Sequence, residues 1–334
     1  MAKPFPLDTD VVVEAVRMWQ VIGVDIGGTG IKGLVTDEEG AVLAEAVRDT
    51  EARLGRDSIL NQLHSLVEEL LLGHPAVKAV GIASAGLINA DSGEVVYATD
   101  NLPGWQGVQL TQWVEDAFGR PAAADNDANA ALLGEAWLGA GRGRTNLFML
   151  TLGTGVGGAN MADGLLLRWD SLNRGDWGHS LLVPDGRPCN CGKRGCVEQY
   201  VSGRALLQLA REETGREYTH GREVMEAAEQ GDTAAWAVLE RYTAYLAHVT
   251  ADIGAAVDPE LIIIGGGVIQ SRAVWWPLLV AKAGEKLAGR IVPAKLGNRA
   301  GCFGAARLAL EKLHRVEIGR GGDTCRDKEE REHG

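Results

Sequence analysis

A chain of 334 residues that is 46% hydrophobic can bury a large core, and because single cores stop growing near about 250–300 residues, two domains are expected. Thirty-three Lys and Arg against 45 Asp and Glu leave a net charge of −12, which argues against a nucleic-acid or anionic-membrane surface as the main partner. No run of about eighteen apolar residues occurs, residues 1–20 place Asp and Glu inside their one apolar stretch, and Cys302 and Cys325 stand isolated from the other three cysteines. A membrane span, a signal peptide and a disulfide framework are thereby disfavoured, and a cytoplasmic protein in a reducing compartment is the expectation.

After the N-terminal extension, Val21 to Ile26 is an apolar run that ends in Gly27, Gly28, Thr29 and Gly30 and resumes at Ile31 to Val35, which predicts two strands joined by a glycine turn. A second turn at Asp37–Gly40 leads into Ala41 to Ala46, completing a three-stranded meander. Ile59, Leu60, Leu63, Leu66, Val67, Leu70 and Leu71 recur at three- and four-residue steps and predict a helix over 56–72, followed by a buried strand over 77–83. A helix over 109–118 and a strand over 122–124 follow. The second half repeats the design: strand 147–152, a turn at Gly153–Gly155, strand 156–161, a hairpin turn at Asp163–Gly164, a long helix over 232–257 and a strand over 261–264. Strands followed by helices in tandem modules predict an α/β protein with mixed sheets and an internal structural duplication.

Three groups of residues carry chemistry. Cys189, Cys191 and Cys196 form a C-x-C-x4-C pattern with His179 ten residues upstream, three thiolates and one imidazole, the ligand set of a closed tetrahedral zinc site. Four protein ligands leave no open position, so such a metal is structural. The turns D-I-G-G-T-G-I-K from Asp25 to Lys32 and L-G-T-G-V-G-G from Leu152 to Gly158, with the cluster Gly265–Gly267, can present converging backbone N–H groups to phosphate oxygens. Neither turn is a Walker loop or a dinucleotide fingerprint, since neither opens a helix. Asn126 and Asp127 precede the helical run 128–138, where either can serve as its cap.

Together with N-L-P-G-W at Asn101–Trp105, N-D-A-N-A-A at Asn126–Ala131, G-H at Gly178–His179 and D-P-x-x-I-x-x-G-G-G ending at Gly267, these motifs resemble the ROK family of sugar kinases over about residues 20–315. The resemblance implies the actin-like ATPase fold, with a small lobe over 21–124 completed by a C-terminal helix over 303–315 and a large lobe over 125–302 carrying the zinc loop 179–196; the stretch 316–334, of mixed charge and without apolar periodicity, is expected to be a disordered tail. The resemblance further implies transfer of the terminal phosphate of ATP to a hexose hydroxyl, and a homodimer. Because a hydroxyl is a poor nucleophile, a carboxylate must accept its proton, and Asp127 matches that general base. Asp25 would hold Mg²⁺, with Gly27, Gly28, Thr29 and Lys32 about the phosphates; Gly153, Thr154, Gly155, Gly265, Gly266 and Gly267 match positions around phosphates and adenosine. Gly86, Asn101, Asn126, Asp127, Asp176, His179 and Glu198 match hexose-contacting positions, the Glu198 carboxylate being aimed at a ring hydroxyl by the metal-fixed backbone.

The chain departs from the family pattern in three places. Asp176 stands where Glu is usual, Arg168–Gly175 replaces a small glycine-rich loop, and Ala85 replaces a common proline. Glucose is therefore the leading expectation among glucose, N-acetylated hexosamines and other hexoses. The family's sugar-responsive repressors carry a helix-turn-helix unit for which the residues before Val21 are too few, and a sugar-sensing protein without turnover is the remaining alternative. The first glycine turn also resembles that of polyphosphate-dependent glucokinases, which lack the cysteine cluster, so ATP is the expected donor.

Overall fold

The computed structural model describes residues 18–99, 101–168 and 177–329, with the backbone alone from residue 318 onward. The apolar run of β1 (Gln20–Ile26) turns at Gly27–Thr29 into β2 (Gly30–Thr36) and then β3 (Val42–Asp49), all antiparallel neighbours. The amphipathic α1 (Arg56–Gly73) buries Ile59, Leu63, Leu66, Val67 and Leu70, which its spacing places on one face. β4 (Val77–Ser84) follows, then the short hairpin β5 (Leu87–Ile88) and β6 (Val95–Tyr97), α2 (Leu110–Phe118) and β7 (Ala122–Asn126). The resulting sheet has the order β3-β2-β1-β4-β7, with β4 parallel to both β1 and β7. The expected lobe boundary at 124 falls inside β7, which runs to Asn126.

α3 (Asp127–Leu138) leads to β8 (Leu147–Leu152), β9 (Val156–Ala162) and β10 (Leu165–Leu166). Four helices follow: α4 (Glu198–Val201), α5 (Gly203–Thr214), α6 (Gly221–Glu229) and α7 (Thr233–Val257). Then come β11 (Leu261–Gly265), α8 (Arg272–Ala283), α9 (Glu285–Ala288), β12 (Ile291–Pro293) and α10 (Ala300–Glu329). The second sheet has the order β10-β9-β8-β11-β12, again an antiparallel meander whose first strand is extended by two parallel strands. The two sheets thus share one topology, and each buries its own apolar cluster, around Ile22, Ile82 and Trp105 in one and Phe148, Tyr242 and Trp275 in the other.

α3 and α10 cross between the two sheets and pack backbone to backbone. A Cβ on Gly304 would lie 1.6 Å from the Ala130 carbonyl oxygen, so only glycine permits that approach. α10 begins at Ala300, three residues before the expected start, and does not stop at residue 315. Its helical backbone continues to Glu329, through most of the stretch read as a disordered tail; residues 330–334 lie outside the described residues. Once a helix has been nucleated by packing, each further residue adds one hydrogen bond, and absent apolar periodicity does not by itself end it. Among the described residues no helix is long and apolar enough to cross a membrane.

Candidate active site

The predicted site residues of the first half meet at the C-terminal ends of the parallel strands β1, β4 and β7, where ligands of open α/β sheets bind. Asp25 and Lys32 are register partners across the β1–β2 hairpin, which puts their side chains on one face. Desolvation by burial raises the Asp25 carboxyl to about 6, with Lys32 opposing that rise. Gly301, in the first turn of α10, lies directly over this carboxylate. The turn itself is pinned from β3's end by Thr50, whose N–H donates to the Thr29 carbonyl at 3.2 Å and whose hydroxyl donates to the Gly27 carbonyl at 2.6 Å. Asn101 lies beside Gly28.

At the end of β7 three consecutive polar residues divide three tasks. Asn126 caps α3, its Oδ1 accepting from the N–H of Ala128 at 2.9 Å and of Asn129 at 3.3 Å, while its Nδ2 donates to the Gly86 carbonyl at 2.7 Å. The N-cap of α3 is thus Asn126 and not Asp127. Burial, followed by the charge of Asp25, raises the Asp127 carboxyl to about 7, against hydrogen bonds that favour the ionised form; one of these is the Ala128 N–H to Oδ1 at 2.9 Å. A carboxylate poised near neutrality is suited to general-base work, and a second carboxylate close enough to perturb it suits a cation between them and a phosphate. Asp125 is buried at 1% exposure and pairs with Arg168 Nε at 2.6 Å. At the end of β4, Ser84 accepts from the buried Trp105 indole at 2.9 Å, which fixes the segment from Asn101 to Trp105 against the sheet.

The large lobe contributes the second glycine turn, between β8 and β9. Gly266, at the end of β11, is packed against the backbone of Leu152, so the turn and the third glycine cluster form one surface. Three groups from α4 and α5 hold this turn. Gly203 N–H donates to the Gly153 carbonyl at 2.8 Å, Arg204 Nε to the Thr154 carbonyl at 3.0 Å, and Glu198 Oε2 accepts from the Val156 N–H at 3.1 Å. The Glu198 carboxylate is therefore engaged with the glycine turn, a contact its expected role toward a ring hydroxyl did not include.

Glu198 opens α4 two residues beyond the cysteine cluster. The donor atoms of His179, Cys189, Cys191 and Cys196 all lie within 4.8 Å of one another. Cys189 Sγ is 3.4 Å from His179 Nδ1, and Cys191 Sγ is 3.6 Å from Cys196 Sγ. A tetrahedron built on bonds of about 2.0–2.1 Å to nitrogen and 2.3 Å to sulfur has edges of roughly 3.5–3.8 Å, so the donor set fits zinc in spacing and in chemistry. The loop is held by backbone pairing, Leu182 N–H to Gly195 carbonyl at 2.8 Å and Gly195 N–H to Arg187 carbonyl at 2.8 Å, and Gln199 Nε2 reaches Cys189 Sγ at 3.5 Å. Asp176 lies outside the described residues. Sequence reading missed Thr50 and Asp125, and it named Arg168 only as the start of the altered segment 168–175; Thr50 meets the glycine turn through the β2–β3 pairing, and Asp125 meets Arg168 only where the two lobes approach.

Two lobes of one topology, each presenting a glycine turn, with paired carboxylates at the strand ends of one of them, define an actin-like ATPase fold built as a sugar phosphotransferase. The ROK family model matches residues 21–312, and the chain belongs to that family. It is 33% identical over 317 residues to a glucokinase of Thermotoga maritima, covering 88% of this chain and 98% of that one, and 35% identical over 318 residues to a glucokinase of Streptomyces coelicolor, with the same coverage. Among solved structures, a ROK family glucokinase from Streptomyces griseus in complex with glucose and AMPPNP superposes with a TM-score of 0.76 at 33% identity, over 87% of this chain and 99% of that one.

Proposed function

We propose that this chain is an ATP-dependent hexose kinase of glucokinase type in which Asp127 is the general base. The observation that carries the reading is the pair of perturbed carboxylates, Asp25 and Asp127, at the strand ends beside the first glycine turn. Asp127 takes the proton of the attacking hydroxyl, and its value of about 7 keeps it basic enough to accept that proton and ionised enough to be ready for it near neutral pH. Mg²⁺ bound with the nucleotide would neutralise charge on the transferring phosphoryl group, and Asp25 is the residue placed to hold it. Lys32, across the hairpin, limits how far Asp25 is pushed toward its neutral form. Asn126, Gly86 and Asn101 line the small-lobe side of the hexose position, while the turns at Gly27–Thr29 and Gly153–Gly155 and the cluster Gly265–Gly267 supply backbone N–H groups for the nucleotide.

Zinc at His179, Cys189, Cys191 and Cys196 would act as a brace, holding the start of α4 so that Glu198 keeps its place between the hexose and the second glycine turn. The similarity to glucokinases at 33–35% identity supports glucose as acceptor and ATP as donor, and we extend the reading to a cytoplasmic homodimer. Release of ADP is the direct test, measured over glucose, mannose and the N-acetylhexosamines with ATP and, in parallel, consumption of polyphosphate. Turnover strongest with glucose and ATP is expected. Hexose-induced thermal stabilisation without turnover of any donor would replace the kinase with a sugar-sensing protein, and sedimentation at micromolar concentration checks the dimer.

A further inference from the structure

The ion pair between Arg168 and Asp125 has no part in the chemistry derived so far, yet its location is specific. Asp125 is the penultimate residue of β7, one before the α3 cap and two before Asp127. Its side chain is fully used: Oδ2 accepts from Arg168 Nε at 2.6 Å, and Oδ1 accepts from the Asn126 N–H at 2.7 Å and Asn129 Nδ2 at 2.8 Å. Arg168 lies just beyond β10, the edge strand of the other sheet, and is the residue from which 169–176 depart. At the far end of that stretch, Trp177 rests on Gly158 and makes an edge contact with Phe148 at 5.0 Å. The pair therefore joins the segment just beyond β10 to the strand end that carries Asp127.

We propose that Arg168 is a positioning residue for hexose recognition, bracing from the large lobe the strand end that presents Asn126 and Asp127. This rests on the hexose-kinase reading. The two ends of the pair differ in a way that makes the role testable. Asp125 is 1% exposed and Arg168 is 37% exposed. Removing the guanidinium leaves a buried carboxylate with only neutral N–H partners, which pulls on the very residues that frame the sugar, whereas removing the carboxylate charge frees an arginine that can turn to water. The Nε–H geometry is one that a lysine ammonium reproduces only in part.

The experiment compares Arg168→Met, Arg168→Lys, Asp125→Asn and the Met/Asn double variant in full-length protein, reading the KM of hexose and of ATP, kcat, and hexose binding by calorimetry. Arg168→Met is expected to lower kcat/KM for the hexose by about tenfold to a hundredfold, mostly through hexose KM, with the KM of ATP changed less than about threefold. Arg168→Lys recovers part of the loss, and the double variant is no worse than Arg168→Met alone because the two residues act as one unit. Equal rises in both KM values accompanied by a fall in Tm, or single-variant effects that simply add, would overturn the proposal. Should Arg168→Met fold poorly, Asp125→Asn, which keeps the side-chain shape, gives the same KM split. Wild-type protein that turns over no hexose would count against the kinase reading itself; the proposal is then read from calorimetry, where unchanged hexose affinity in Arg168→Met overturns it.

Discussion

The two glycine turns occupy equivalent places in two sheets of the same topology, and they are equipped differently. In the small lobe the strand positions flanking the turn hold Asp25 and Lys32, and the turn is pinned by Thr50 from its own sheet. In the large lobe the corresponding register partners are Thr151 and Gly157, with no charge between them, and the turn is held from outside by Gly203, Arg204 and Glu198. One copy of the fold carries buried charge at its turn and the other a clasp from the helices that follow the cysteine cluster. A single transferring phosphoryl group needs one cation-binding carboxylate and one base; a second pair of buried acids would add desolvation cost with nothing to neutralise them.

The largest effect should come from the charged side. Asp127→Ala is expected to lower kcat by roughly 10² to 10⁴, with hexose still bound, and a near-normal kcat would remove Asp127 from the mechanism. The same group links activity to stability with opposite signs. Its folded value of about 7 exceeds the ordinary 3.8, so the folded state holds more protons than the unfolded one between these values. Stability from this group is present in full below about pH 4 and is lost as pH rises through 7. Asp127→Asn should therefore raise Tm at pH 8, with the gain shrinking toward pH 4, even as turnover is lost. In the wild type, kcat/KM for the hexose should decline below about pH 7, where the free enzyme's base becomes protonated; a profile flat to pH 5 would exclude that assignment.

On the clasp side the effects should be smaller and should reach both substrates. Glu198→Ala frees the Val156 N–H and is expected to raise the KM of ATP as well as that of the hexose, by about tenfold; a change confined to the hexose would show that the Val156 contact plays no part. Chelation of zinc should weaken hexose binding more than ATP binding, with secondary structure retained by circular dichroism, whereas equal losses with a collapsed Tm would mean general unfolding. Arg204→Ala removes one bond from an exposed side chain to the Thr154 carbonyl and should change the KM of ATP less than about threefold.

Local patterns were readable where the physics is local. The apolar spacing of Ile59 to Leu70, the glycine-closed hairpins and the C-x-C-x4-C run each depend on residues a few positions apart, and each lies in the structure where its spacing put it. α10 was misjudged at both ends, because its start is set by packing against Asp25 and α3 and its length by propagation from that packed segment. The ambiguity at Asn126 and Asp127 was real in the sequence, since either side chain can cap a helix. It is resolved by a hydrogen bond from Asn126 to Gly86, 40 residues away.

The sequence by itself determined the α/β class, the duplicated meander, the cluster of three cysteines and one histidine and the short list of carboxylates, because periodicity, glycine turns and ligand spacing are written within a few residues of one another. Only the tertiary structure decided which acids lie together. Strand register sets Asp25 opposite Lys32, folding brings the Asp25 charge close enough to raise the cost of ionising the buried Asp127, and the approach of two sheets joins Asp125 to Arg168 and Glu198 to Val156. Desolvation and long-range pairing are properties of the packed chain, and no local pattern encodes them.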